Sequence, residues 1–336
     1  MTNRERVITA IKHEQPDKTP HNVFFTGEML DKMIAYTGDK NYINTIDNHI
    51  IKASLRKPQV PVAGVADHFI DEFDVVWNKS GADKDIGVVS EYLLKTPEMI
   101  YDFEPPPVDE EFIHTQCKRL IETKGDNFAY VSIGFTLYER SWSLIGMEDL
   151  LAYMLTEPEA VGNLFSKLTK RSIEQAKIAL EYDFDAVLYG DDWGQQRGMI
   201  MGPTTWRSMI KPYYAEMFGT VKNKGKYVLH HSCGDLREIV DDLIEIGLDV
   251  YQTFQPEIYD LNEYKEKFKS KLTIWGALST QVDLPYKTPD EIYEITKNTM
   301  KILGKNGGYI AAPTHDVPGD VPPENIEAMV KAFLDQ

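Results

Sequence analysis

The sequence predicts an α/β protein built as a single (β/α)8 TIM barrel, and three observations carry that expectation. Eight short β-branched or aromatic runs recur along the 336 residues, longer amphipathic stretches separate them, and several of those stretches open with helix-start signals. Eight alternating units fit a closed barrel better than a doubly wound sheet.

The runs, in order, are residues 21–25, 74–77, 130–135, 186–191, 227–232, 249–254, 272–277 and 308–313. Each is short enough for a barrel stave and ends near Gly, Pro, Asp or Ser. Thr156-Glu-Pro-Glu159 and Thr288-Pro-Asp-Glu291 each place a hydroxyl at a helix N-cap with a Glu three residues on, the reciprocal arrangement of a capping box. Pro322-Pro323-Glu324 opens a closing helix through Phe333, since proline lacks an amide that the first turn would leave unpaired. The chain reads as one domain, residues 1–336, with an insertion or lid around 78–128 that contains Pro105-Pro106-Pro107.

Composition narrows the function. Hydrophobic residues make up 42% and charged residues 26%, enough to bury a large core and too much for a disordered chain. With 36 Lys plus Arg against 53 Asp plus Glu, the formal charge of -17 repels polyanions, so nucleic acid is not an expected partner. Two cysteines, Cys117 and Cys233, are too few for a secreted disulfide framework. No stretch has the roughly 18 unbroken apolar residues of a membrane span, and the first residues are charged. A cytoplasmic enzyme, not bound to membrane, is the expectation.

Barrel active sites form at the C-terminal ends of the strands. The fifth run ends His230-His231-Ser232-Cys233-Gly234-Asp235. Side chains two apart in an extended segment point the same way, so His231 and Cys233 share a face, and an imidazole beside a thiolate is half of a zinc site. The other account of the pair is packing, with Cys233 as a small buried hydrophobe. His315, just past the eighth run, can converge with them across the mouth as a third ligand, leaving a fourth position for substrate. The fourth run ends Tyr189-Gly190-Asp191-Asp192-Trp193-Gly194. Its acids can ligate metal, orient a ligand histidine, bind substrate or simply cap a loop; Asp191 is taken as the metal ligand and Asp192 as catalytic. Phe25, Phe135, Tyr138, Trp142, Trp193, Phe254 and Trp275 lie near run ends and are expected to wall a flat apolar pocket. No dinucleotide-binding glycine fingerprint, phosphate loop or Gly-x-Ser-x-Gly elbow occurs.

Taken together, Asn3-Arg-Glu-Arg-Val-Ile-Thr-Ala-Ile-Lys12, Tyr189-Gly-Asp-Asp-Trp-Gly194, Pro212-Tyr-Tyr214, His230-His-Ser-Cys-Gly234, Ile274-Trp-Gly-Ala-Leu278 and Val321-Pro-Pro-Glu-Asn-Ile326 resemble the uroporphyrinogen decarboxylase-like superfamily along nearly the whole chain. That resemblance implies a single (β/α)8 barrel. Tetrapyrrole decarboxylases of the group carry an arginine-rich segment near the start that binds substrate carboxylates; here Phe24-Phe-Thr-Gly-Glu-Met-Leu30 has no arginine. The other branch consists of zinc methyltransferases that exchange methyl groups with corrinoid proteins, with ligands resembling His-x-Cys plus a later Cys shortly before Pro-x-Glu-Asn. Counting back from Pro322-Pro-Glu-Asn325, that later position falls on His315.

One thiolate and two neutral imidazoles leave zinc about one charge more positive than two thiolates do. That suits stabilising an oxyanion better than activating a thiolate. The chain is therefore similar to the first methyltransferase of anaerobic O-demethylase systems. The expected reaction moves methyl from a small aromatic methyl ether to the Co(I) corrinoid of a partner protein. The corrinoid must arrive on that separate protein, because no Asp-x-His-x-x-Gly signature occurs here. The other expectations are a methylcorrinoid-to-thiol methyltransferase, a metal-free lyase acting on a small carboxylic acid, and a barrel that has lost catalysis and serves as a ligand sensor. Pairing of two chains as a homodimer is left open.

Overall fold

A computed structural model describes residues 1–81 and 86–336. Seven parallel strands form one curled sheet in the order β1 (Ile50–Ser54), β6 (Phe128–Ile133), β7 (Ala186–Gly190), β10 (Tyr227–His231), β11 (Val250–Phe254), β12 (Thr273–Leu278) and β13 (Tyr309–Pro313). Helices lie between successive strands, as a right-handed βα crossover requires. An eighth stave closes the ring. His21 bridges Ala311 and Phe25 bridges Val317 in parallel, while the His49 amide donates to the His21 carbonyl at 3.0 Å on the β1 side. Further along that side the Asn48 side chain stands in for a ladder. Its Oδ1 accepts from the Val23 amide at 2.7 Å and its Nδ2 donates to the Val23 carbonyl at 3.1 Å.

Six of the eight expected strands, the third to the eighth, match β6, β7 and β10–β13 within two residues at either end. The second does not. Residues 74–77 lie outside the barrel, where β4 (Val76–Asn78) joins β2 (Val60–Pro61), β3 (His68–Ile70) and β5 (Val88–Val89) in a small antiparallel sheet; β8 (Gly194–Gln195) and β9 (Gly198–Met199) pair in the connection after β7. The apolar character of that run comes from Trp77 packing edge-on to Phe135 and Trp142, with ring centroids 5.7 and 6.0 Å apart. Asp74 has φ 63°, a turn conformation. The second stave is β1, whose inward Lys52 and Ser54 are exposed at the open mouth. Those polar residues mask the strand pattern in the sequence.

Between β1 and β6, residues 55–127 hold the small sheet, helix Pro97–Asp102 and helix Glu110–Thr123. The expected insertion around 78–128 begins within that sheet; its residues 82–85 lie outside the described residues.

The two expected capping boxes diverge. Thr288 and Glu291 form theirs at helix Pro289–Leu303. Thr156 instead ends helix Met147–Thr156, its hydroxyl turned back to the Ala152 carbonyl at 3.1 Å, and the next helix begins at Pro158 without a side-chain cap. The closing helix runs Pro323–Leu334 with proline in its first turn.

Strand alternation sorts the apolar side chains into two cores. Ile50, Phe128, Tyr130, Ala186, Leu188, Leu229, Val250, Trp275, Ile310 and Ala312 point to the barrel axis, and Val7 and Ile11 of helix Asn3–Ile11 pack with them. This plug closes the N-terminal end and leaves the C-terminal end open. Residues such as Ala129, Val131, Val187 and Val228 face the helices. Trp275 is the largest axial side chain; its indole donates to Asn22 Oδ1 at 2.7 Å and Tyr130 meets it edge-on at 5.7 Å. Trp275→Ala is expected to lower the unfolding free energy by about 3–5 kcal/mol in urea titration, because it opens an axial cavity and leaves Asn22 unpaired.

Candidate metal centre at the barrel mouth

Leu229 points to the axis, so two residues on His231 does too, while Val228 and His230 face outward. His230 is fully covered, stacked on Trp193 at 4.2 Å. The chain then leaves β10, and the shared-face expectation holds for the next pair. Ser232 Oγ accepts from the Trp193 amide at 3.0 Å, on the outer side, and Cys233 Sγ lies 3.9 Å from His231 Nε2. His231 Nδ1 pairs with Gln252 Oε1 at 2.9 Å. An amide oxygen can only accept, so Nδ1 carries the proton and Nε2 presents a lone pair to the cluster. From the loop after β13, His315 brings its ring centroid to 5.5 Å from that of His231.

One donor atom each from His231, Cys233 and His315 lies within 4.8 Å of the others. Tetrahedral zinc, with bonds of about 2.0–2.3 Å, sets donors about 3.3–3.6 Å apart. A side-chain adjustment of an ångström or so closes the set. The donor chemistry, two nitrogens and one sulfur with the fourth side facing the mouth, fits such a cation.

Two glycines hold this geometry. Gly234 has φ +83°, and a Cβ there would stand 2.2 Å from the Gly194 carbonyl carbon; a Cβ on Gly194 would stand 2.6 Å from the Asp235 amide. The loops after β7 and β10 thus touch backbone to backbone, where no larger residue fits.

The adjacent acids divide their roles. Asp192 Oδ1 accepts from the Cys233 amide at 2.8 Å and lies 3.8 Å from His231 Nε2, so its carboxylate borders the cluster. Asp191, the expected ligand, is not among the convergent donors. It is fully buried, accepting from the Glu139 amide at 2.6 Å, the Tyr138 amide at 2.7 Å and the Trp193 indole at 3.2 Å. It caps helix Tyr138–Ile145, which has no N-cap side chain of its own. Burial raises its pKa to about 6 in spite of those bonds. Neighbouring residues of an extended chain point to opposite sides, which is why only one of the two acids reaches the mouth.

Burial, then the charge of Asp192, pushes the Cys233 thiol up to about 12. Desolvation and the neighbouring His231 hold His315 below its ordinary value. A thiol and an unprotonated imidazole are the resting forms when no cation is bound. A divalent ion reverses the thiol's balance by stabilising the thiolate.

The expected aromatic wall is largely absent. Tyr138, Trp193, Phe254 and Trp275 have no exposed surface and cannot touch a ligand entering from solvent. Trp193 lies between β10 and the helices, against Trp206 and Tyr214. Phe254 follows a register shift between Tyr251 and Phe254 and packs on Tyr259 and Tyr264. Phe25, Phe135 and Trp142 are only partly buried. Phe135 φ is +52°, and its ring joins Trp77 and Trp142.

Glu139 and Gln252 join the site without being among the residues expected from the sequence. Glu139 follows the third strand, and burial together with the charges of Asp192 and Asp191 drives its carboxyl well above the carboxylate range. Its signal was an acid between Tyr138 and Arg140 just past a strand end. The signal for Gln252 was a polar residue two positions past Val250, on the same inward face of β11.

A family model described as Uroporphyrinogen decarboxylase (URO-D) matches residues 82–335. The chain belongs to the uroporphyrinogen decarboxylase (URO-D) family. A URO-D relative, the uroporphyrinogen decarboxylase of Vesicomyosocius okutanii subsp. Calyptogena okutanii (strain HA), is 25% identical over 191 residues, 53% of this chain and 49% of that protein. The match thus spans about half the length of that curated relative. A methyltransferase from Methanosarcina mazei has the same fold, with a TM-score of 0.71 and 16% identity over 100% of this chain and 99% of that one. Among the described residues, no helix is long and apolar enough to cross a membrane.

Co2+ titration separates the roles within this URO-D mouth. Cys233→Ala is expected to abolish the thiolate-to-metal absorption band without unfolding the chain. Asp191→Ala is expected to keep the band and lose about 1–3 kcal/mol of stability, the cost of orphaned helix amides.

Proposed function

We propose that this URO-D family member is a zinc-dependent methyltransferase that moves a methyl group from a methoxylated aromatic to the Co(I) corrinoid of a partner protein. The observation that carries this is the meeting of His231, Cys233 and His315 at the open end of the barrel. Zinc bound there supplies a Lewis acid that polarises an ether oxygen and lessens the cost of a departing phenolate.

The chain's own residues set how well that works. One thiolate and two imidazoles leave net positive charge at the mouth, offset in part by Asp192. Gln252 fixes the His231 tautomer, so its lone pair costs no reorganisation. Phe25, Phe135 and Trp142, the partly exposed rings of the set, are the aromatic surfaces left to hold an arene. The corrinoid nucleophile attacks the methyl carbon, its electron pair forms the carbon–cobalt bond, and the carbon–oxygen pair leaves with the phenolate, which then takes a proton.

The test mixes the zinc-loaded chain, a methoxyarene and a corrinoid protein reduced to Co(I), with methylcobalt absorbance as the readout. Methylcobalt is expected to form stoichiometrically with the phenol, and Cys233→Ala is expected to lower the rate at least about 100-fold, as loss of a metal ligand does. Methyl flow from methylcorrinoid to a small thiol, with none from ethers, would reverse the assignment. Chelator-insensitive release of carbon dioxide from a small carboxylic acid would replace it with a lyase.

A further inference from the structure

Beside the barrel rim three arginines meet under the small sheet. Arg56 follows β1, Arg140 lies in helix Tyr138–Ile145 and Arg171 in helix Pro158–Ala179. Two acids from the turn after β3 face them. Arg140 Nη1 donates to Asp71 Oδ2 at 2.7 Å and Arg171 Nη2 to Glu72 Oε2 at 2.6 Å. Asp71 has no capacity to spare for a second guanidinium, since it also accepts from the amides of Phe73 and Val75 at 2.9 and 3.2 Å and from the Trp77 indole at 3.1 Å. Arg56 has no ion pair among the described residues; its guanidinium lies 4.8 Å over the Phe135 ring. Three cations thus stand against two anions.

The excess charge has a place to be answered. The polar lining of a small cavity consists of the three arginines, Glu72, which is held by Arg171, and Thr136, Ser172 and Gln175. Its volume of about 20 Å³ has room for a body little larger than a water molecule and none for an aromatic ring. Arg140 is 2% exposed, and its Nε is a buried donor without an acceptor. A native fold rarely leaves a charged donor so, and the ordinary remedy is an acceptor in the adjoining space. Burial lowers the Arg140 pKa against the pull of Asp71, and the charge of Arg56 adds to the lowering.

We propose that this cavity binds one compact monovalent anion of chloride size, held by Arg56, Arg140 and Arg171. The anion ties the loop after β1, the small sheet and the loop after β6 into one unit, because each contributes a wall. Monovalence follows from the imbalance of one charge, and size from the space. Nothing in it depends on methyl chemistry at the mouth.

The test is thermal unfolding of the full chain in sodium chloride, bromide or formate against sodium gluconate at equal ionic strength. The melting temperature is expected to rise and saturate with chloride or bromide, as for a ligand bound only by the native state, and to stay flat in gluconate. Arg56→Gln, at a half-exposed loop position, is expected to fold and lose the saturable rise. Crystals of the unaltered chain grown in bromide are expected to give an anomalous peak among the three guanidinia. Equal melting in chloride and gluconate, an undiminished rise in Arg56→Gln, or a bromide map with no peak there would each overturn the assignment.

Discussion

A closed ring of parallel strands decides which side chain of each strand faces the axis, and the chemistry of this protein rests on that constraint. Once Ile50, Leu229 and Val250 fill the axis above the plug of helix Asn3–Ile11, the next inward positions on the same strands, Lys52, His231 and Gln252, stand at the open mouth. On β10 that position is His231, and the turn that Gly234 permits carries Cys233 to the same side. From β13 the chain needs two more residues to bring His315 to the same place. The barrel therefore joins a His-x-Cys pair from the end of one strand to a histidine from the end of another that is distant in sequence.

Electrostatics then sets what such a site can hold. A thiol held up to about 12 by burial keeps its proton until a divalent ion displaces it, while His315, held below its ordinary value by desolvation, offers its ring nitrogen to the same ion. Asp192 lies close enough to share in the charge, whereas Asp191 is spent on the amides of helix Tyr138–Ile145. The helix in turn carries Glu139 to the mouth and Arg140 to the arginine cluster beneath the small sheet. One buried carboxylate thus positions residues on both sides of the rim.

Much of this was legible in the sequence because it depends on local rules. Alternation in an extended segment separates His231 from His230, and the eight-fold alternation of strands and helices places Cys233 and His315 at one end of a barrel. What was not legible depends on tertiary contacts. The stave β1 was hidden because Lys52 and Ser54 occupy inward positions at a solvated mouth, while Trp77 gave residues 74–77 an apolar look for a different sheet. Whether an aromatic near a strand end faces substrate or core turns on what packs over it. Trp193 and Phe254 were covered by Tyr214 and Tyr259, residues that no spacing rule relates to them.

The most direct measurement is anomalous X-ray scattering above and below the zinc absorption edge on crystals of the full chain. One strong zinc peak is expected at the barrel mouth, bonded to His231 Nε2, Cys233 Sγ and a ring nitrogen of His315. A zinc-saturated crystal with no peak bridging those three side chains would contradict it.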